Sequence, residues 1–122
     1  MGRRQRRRAG ERGQAGDAPR APESEYRDGD DVLVLRGSLS PATRREYAAT
    51  LAGGSHREDA RQRAIELLFE RLAVSWTIAG VSTERQRDLV GRYRMASAAE
   101  RESVLRALRE HLTEHFPEME AP

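Results

Sequence analysis

The stretch Ala64-Ile65-Glu66-Leu67-Leu68-Phe69-Glu70-Arg71-Leu72-Ala73-Val74-Ser75-Trp76-Thr77-Ile78-Ala79-Gly80 decides the fold class, because its apolar residues have to be assigned a period. At 100° per residue Ile65, Leu68, Phe69, Leu72 and Trp76 fall on one side of a helix. Ala60, Ala64, Leu67, Val74 and Ile78 fall on nearly the opposite side. The spelling Ser55-x-x-Glu58 is a capping box, and Gly80 is a stop signal. Together they predict one long helix that opens at this box and runs to about Ala79. A helix that is apolar on two sides is either central in its own domain or shared with another chain.

Outward from this segment, three more helices announce themselves. Ser40-Pro41 is an N-cap followed by proline at the first helical position, where a missing N–H costs nothing, and Gly53-Gly54 ends that helix. Its apolar side is Tyr47, Ala48 and Leu51. Ser82 or Thr83 caps a third helix reaching about Arg94, with only Leu89, Val90 and Tyr93 to bury. Ser97-x-x-Glu100 is another capping box, opening a last helix to about His115, before Pro117. Val104, Leu105, Leu108, Leu112 and Phe116 form its stripe. The short run Val32-Leu33-Val34-Leu35, β-branched at alternate positions, fits a buried strand. One strand makes no sheet, so it needs a mate from another chain or lies as an extended arm over helices. The expected fold is therefore all-α: a small four-helix array with one short N-terminal extended strand.

Composition sets the limits of that domain. The chain has 122 residues, and all 22 of its basic residues are Arg. Every Val, Leu, Ile and Phe lies between Val32 and Phe116. Residues 1–30 read as a disordered tail, residues 31–117 as the helical domain and residues 118–122 as a C-terminal tail. Charge segregates too. Residues 1–20 carry seven Arg against Glu11 and Asp17, and residues 21–31 carry five acids against Arg27. With no Cys, disulfides, thiolate nucleophiles and Cys-based zinc sites are excluded. No apolar run follows the basic N-terminus and none is long enough to span a bilayer, so a cytoplasmic protein without membrane contact is expected.

The motifs carry little catalytic chemistry. His111-Leu112-Thr113-Glu114-His115 has the H-x-x-E-H spelling of inverted zinc proteases, but too little chain follows for a further ligand, and His115 falls inside the apolar stripe. It reads as structural. No nucleophile motif, phosphate loop or dinucleotide fingerprint is present, so no catalytic residue, metal ligand or cofactor is assigned. Arg3, Arg4, Arg6, Arg7 and Arg8 put five guanidiniums in six residues, which suits phosphate binding through counterion release. This hexapeptide resembles the arginine-rich RNA-binding segment of the lentiviral Tat protein. Ala79-Gly80-Val81-Ser82 resembles the turn of a bacterial helix-turn-helix, with Arg85, Arg87, Arg92 and Arg94 on the following helix. Trp76, Ser75 and Gln86 stand where that pattern wants small or apolar residues. Leu39 to Leu51 is similar to the opening helix of the core-binding domain of tyrosine recombinases.

As a whole, a short apolar strand, a Leu39-Ser40-Pro41 turn and a small helical array resemble the tail assembly chaperones of long-tailed bacteriophages. That resemblance implies a non-enzymatic helper that coats a long helical tape-measure protein. The expected function is thus an assembly or protein-interaction factor. It binds a helical protein partner through Ala60, Ala64, Leu67, Val74 and Ile78, and self-associates. The alternative is a nucleic-acid-binding accessory protein that uses Arg3, Arg4, Arg6, Arg7 and Arg8 on nonspecific nucleic acid.

Overall fold

A computed structural model describes residues 22–54 and 56–122. The element order is β1 (Glu23–Asp28), β2 (Asp31–Arg36), α1 (Pro41–Ala52), α2 (Arg57–Leu72), β3 (Ala73–Ile78), β4 (Val81–Thr83), α3 (Gln86–Arg94) and α4 (Ala98–His115). The four strands form one antiparallel sheet in the order β1-β2-β3-β4. The fold is therefore α+β, and the all-α expectation is overturned. The plan is a β-hairpin followed by a helix pair, used twice, with β2 and β3 meeting at the centre.

Two misread segments account for the error. The predicted long second helix ends at Leu72, and Ala73 turns directly into β3 with no connecting residue. In Ala73–Ile78 the apolar positions Val74, Trp76 and Ile78 alternate with Ser75 and Thr77, a period of two. Leu72 and Trp76 are also four apart, so the helical period fitted the same residues. The second misread segment is Glu23–Asp28, which lies within residues 1–30 and is a strand, not tail. Its only large apolar residue is Tyr26, so hydrophobicity did not reveal it. The run Val32–Leu35 therefore has mates on both sides from its own chain. It needs no strand from another chain.

Both hairpins turn in two residues. Gly29 has φ 62° while Asp30 stays negative, the pattern of a type II′ turn. Ala79 and Gly80 have φ 52° and 81°, the type I′ pattern, which carries the strands' right-handed twist. The segment that resembled a helix-turn-helix turn is thus the tip of a β-hairpin, and Ser82 and Thr83 are strand residues rather than caps. Arg85 occupies the N-cap of α3 without a side-chain bond. The other two starts are as expected. Ser40 accepts from the Thr43 N–H, and Ser97 with Glu100 closes a reciprocal capping box. For α2 the N-cap is His56, and Glu58 and Asp59 complement the positive end of its dipole; Ser55 lies outside the described residues.

The helices bury one face of the sheet. Along that face Tyr26, Leu33, Trp76 and Thr83 form one cross-strand row, and Ser24, Leu35 and Ala73 the next, with a bulge between Val34 and Leu35 on the β2–β3 ladder. Leu33, Leu35 and Trp76 join Phe69, Leu68, Leu72, Tyr93, Val104 and Leu108 in one core cluster. Phe69 lies at its centre, stacked on Tyr93 at 5.0 Å and edge-on to Trp76 at 5.3 Å. The end of the chain, read as a separate tail, is bound to the domain. Tyr47 donates to the Glu120 carbonyl at 2.6 Å, and Arg109 donates to the Pro122 carbonyl at 3.0 Å. Burial pushes the Tyr47 hydroxyl up to about 12. Among the described residues no helix is long and apolar enough to cross a membrane.

Candidate interaction surfaces

The five residues expected to bind a helical partner do not share one helix. Ala60 and Ala64 on α2 are 1% and 0% exposed. Their small side chains allow α1 to pack close along that side of α2. Leu67, next on the same side, is half-buried beside Ala49 in the groove between α1 and α2, with Glu46, Glu66 and Glu70 around it. Val74 and Ile78 belong to β3, and Ile78 packs against the core. The second helical stripe is therefore partly the seat of α1 and partly strand. Arg3, Arg4, Arg6, Arg7 and Arg8 lie outside the described residues.

The sheet leaves a different surface open. On the face turned away from the helices, Arg27, Val32, Thr77 and Ser82 form one cross-strand row and Glu25, Val34 and Ser75 another. Val32 and Val34 are half-exposed, and neither packs against the core cluster. The middle of this face is thus valine and small hydroxyl residues, and its β1 side is the charged set Glu23, Glu25 and Arg27. Short β-branched side chains give a shallow ridge against which a helix can lie. This surface is not legible in the sequence, because a helical period claims Ser75 and Thr77 and a buried strand claims Val32 and Val34.

On the helix side, α4 meets the β1–β2 hairpin over a cleft of about 260 Å³. Its floor holds Tyr26 and Trp76, and its rim holds Asp28, Asp31, Arg106 and Glu110. The Arg106 guanidinium stands 3.7 Å from the Asp28 carboxylate. Arg92 lies over the Trp76 ring at 5.4 Å and pairs with Glu100 at 3.0 Å, which holds the Glu100 carboxyl below the usual range.

Beside this cleft the two histidines of the H-x-x-E-H spelling come together, their rings 4.5 Å apart. His111 is 0% exposed and bonded through both nitrogens: Nε2 lies 2.8 Å from the Arg36 carbonyl and Nδ1 2.7 Å from the Tyr26 hydroxyl. A carbonyl only accepts, so Nε2 carries the hydrogen, and in the neutral ring Nδ1 accepts from Tyr26. His115 Nε2 is 3.1 Å from the Ser24 hydroxyl and 3.7 Å from the Glu114 carboxylate. Both His111 nitrogens are engaged, and the described residues contain no group of three or more His, Asp or Glu arranged to hold a metal. Burial is the main cause that moves His111 below the ordinary histidine value of 6.5; the nearby His115 adds to it, against the Arg36 carbonyl and Glu114. The Tyr26–His111 pair was not legible from spacing, since it joins residues 85 positions apart.

No family model, no curated protein and no solved structure matches this chain.

Proposed function

We propose that this chain is a non-enzymatic protein-interaction factor that takes an amphipathic helix of a partner protein on the outer face of its sheet. The observation that carries this reading is the outward pair Val32 and Val34, half-exposed beside Ser75 and Thr77 on a face that no helix among the described residues covers. A helix laid across it would remove valine surface from water at roughly 25 cal/mol per Å². Its charged borders would meet Glu23, Glu25, Arg27 and Arg36. This site replaces the helical stripe inferred from spacing. The resemblance to phage tail assembly chaperones makes a long helical protein of tape-measure type the partner class to test first.

A photo-crosslinking amino acid at Ser75 or Thr77, with Arg87 on α3 as control, tests the surface. Cross-links to a helical protein from the sheet positions and none from the control are expected. Cross-linking that is equal at both positions, or absent from the sheet, overturns the proposal. Val34→Glu is expected to abolish those cross-links at a cost of about 1 kcal/mol, because it gives up a β-branched strand residue and faces Glu25 across the ladder.

A second reading rests on charge. From Pro22 onward the chain carries 15 Arg against 18 acids, while residues 1–21 carry seven Arg against two. Phosphate binding would then belong to Arg3, Arg4, Arg6, Arg7 and Arg8. It would weaken steeply with salt and vanish when residues 1–20 are removed. Removing them should leave the cross-links from Ser75 unchanged.

A further inference from the structure

We infer that the contact of Tyr26 with His111 is a pH-operated latch that holds the edge strand β1 on the domain at neutral pH and lets it go in mild acid. The inference does not depend on what binds the outer face of the sheet.

Among the described residues β1 is an edge strand, hydrogen-bonded to β2 alone. Three side-chain contacts tie it to α4: Tyr26 to His111 at 2.7 Å, Ser24 to His115 at 3.1 Å, and Asp28 to Arg106 at 3.7 Å. Of these the first is the most enclosed. The neutral ring matches its surroundings, with Nε2–H donating to the Arg36 carbonyl and Nδ1 accepting the Tyr26 O–H. A proton added at Nδ1 faces the hydroxyl hydrogen. The phenol must then rotate, its own hydrogen loses its acceptor, and an imidazolium stands in a buried site.

The groups around that imidazolium compensate it poorly. β1 offers Tyr26 and Ser24, which are neutral, and β2 offers one backbone carbonyl. From α4 come His115, with its ring 4.5 Å away, and Glu114, whose carboxylate is 3.7 Å from His115. Glu110, on the same helix, lines the cleft beside Tyr26. Phe116 closes the far side at 5.9 Å, and the Arg44 guanidinium from α1 lies over Phe116, where it is paired with Glu118 at 3.0 Å and so adds little net charge. Proton uptake is therefore easier once β1 has moved away and water reaches the ring. The core beneath is built on Leu33, Leu35 and Phe69, with Tyr26 only a partly buried neighbour at its edge, so β1 opens locally before the domain unfolds.

Hydrogen exchange on the full chain between pH 7.5 and 5.0, corrected for intrinsic rates, tests the latch. Protection of residues 23–28 is expected to fall severalfold across this range while that of residues 62–72 in α2 holds. His111→Gln, which has no titrating ring, should remove the pH response of β1; His115→Gln should retain it. Nitrogen NMR of the wild-type protein should find His111 neutral at pH 7 with the hydrogen on Nε2. This measurement also decides the matter if His111→Gln does not fold. The inference is overturned if β1 and α2 lose protection together, if the β1 response survives in His111→Gln, or if His111 is already charged at pH 7.

Discussion

Tyr26 and Trp76 flank Leu33 in the same row of the sheet, one from each hairpin, and they are held by opposite means. Trp76 is buried edge-on against Phe69 with the Arg92 guanidinium over its ring. Tyr26 is half-buried and depends on a hydroxyl bonded to one histidine nitrogen. Apolar packing is indifferent to pH, whereas a neutral hydrogen-bond pair with a titratable acceptor is not. Trp76 thus builds β3 into the core, while β1, the edge strand of the first hairpin, is fastened to α4 chiefly by polar contacts, its partner β2 joining the core through Leu33 and Leu35. The most severe test is Trp76→Ala, expected to cost about 3–5 kcal/mol for a large core aromatic. Tyr26→Phe keeps the ring and strands His111 Nδ1, and is expected to cost about 1–3 kcal/mol. Chemical denaturation of both variants measures the gap. Equal costs would erase the contrast between the hairpins.

pH sharpens the same comparison. The His111 value is lowered in the folded state, so the unfolded chain binds the proton more readily. The stability this provides is fully present above the ordinary histidine value of 6.5 and is lost as pH falls from there through the lower folded value. Wild-type stability should therefore decline below about pH 6.5, which urea titrations at a series of pH values would show. Trp76→Ala should leave that slope unchanged, because nothing in its packing titrates in this range. A slope that disappears with Trp76 but survives His111→Gln would assign the pH dependence to the wrong hairpin.

The contrast also explains what could be read in advance. Helix starts were legible at Ser40 and Ser97 because capping is local chemistry, fixed by residues three apart. The change from α2 to β3 was not legible: no glycine or proline marks it, and Leu72 and Trp76 satisfy a helical spacing while Val74, Trp76 and Ile78 satisfy a strand spacing. Tertiary pairing with Val32, Leu33 and Val34 settles that conflict. β1 was hidden because Ser24 and Tyr26, its inward residues, are polar, and their partners lie on α4, at the other end of the chain. The expected binding stripe failed for a related reason. Ala60 and Ala64 are apolar and small, and in a domain this size such a side is where a neighbouring helix rests. The uncovered surface could only be recognised once Val32, Val34 and Ser75 shared a sheet face.

The tips of the two hairpins differ as their bodies do, and this yields the smallest expected effect. At the first tip the residue with positive φ is Gly29, which adopts that conformation freely. At the second, Ala79 is held at φ 52°, a left-handed conformation that costs a side-chain-bearing residue roughly 1–2 kcal/mol. One contact offsets it: the Asp31 carboxylate accepts from the Ala79 N–H at 3.0 Å, tying the second tip to the first hairpin. Asparagine tolerates the left-handed region better than alanine, and Asn-Gly is the preferred pair for a type I′ turn. Ala79→Asn should therefore stabilise the domain by about 0.5–1 kcal/mol, read as a raised denaturation midpoint with an unchanged slope. The substitution keeps the backbone N–H, so the bond to Asp31 survives and the gain isolates the turn. A neutral or destabilising result would mean that the Asp31 contact, rather than the turn's own preference, sets the geometry of the second tip.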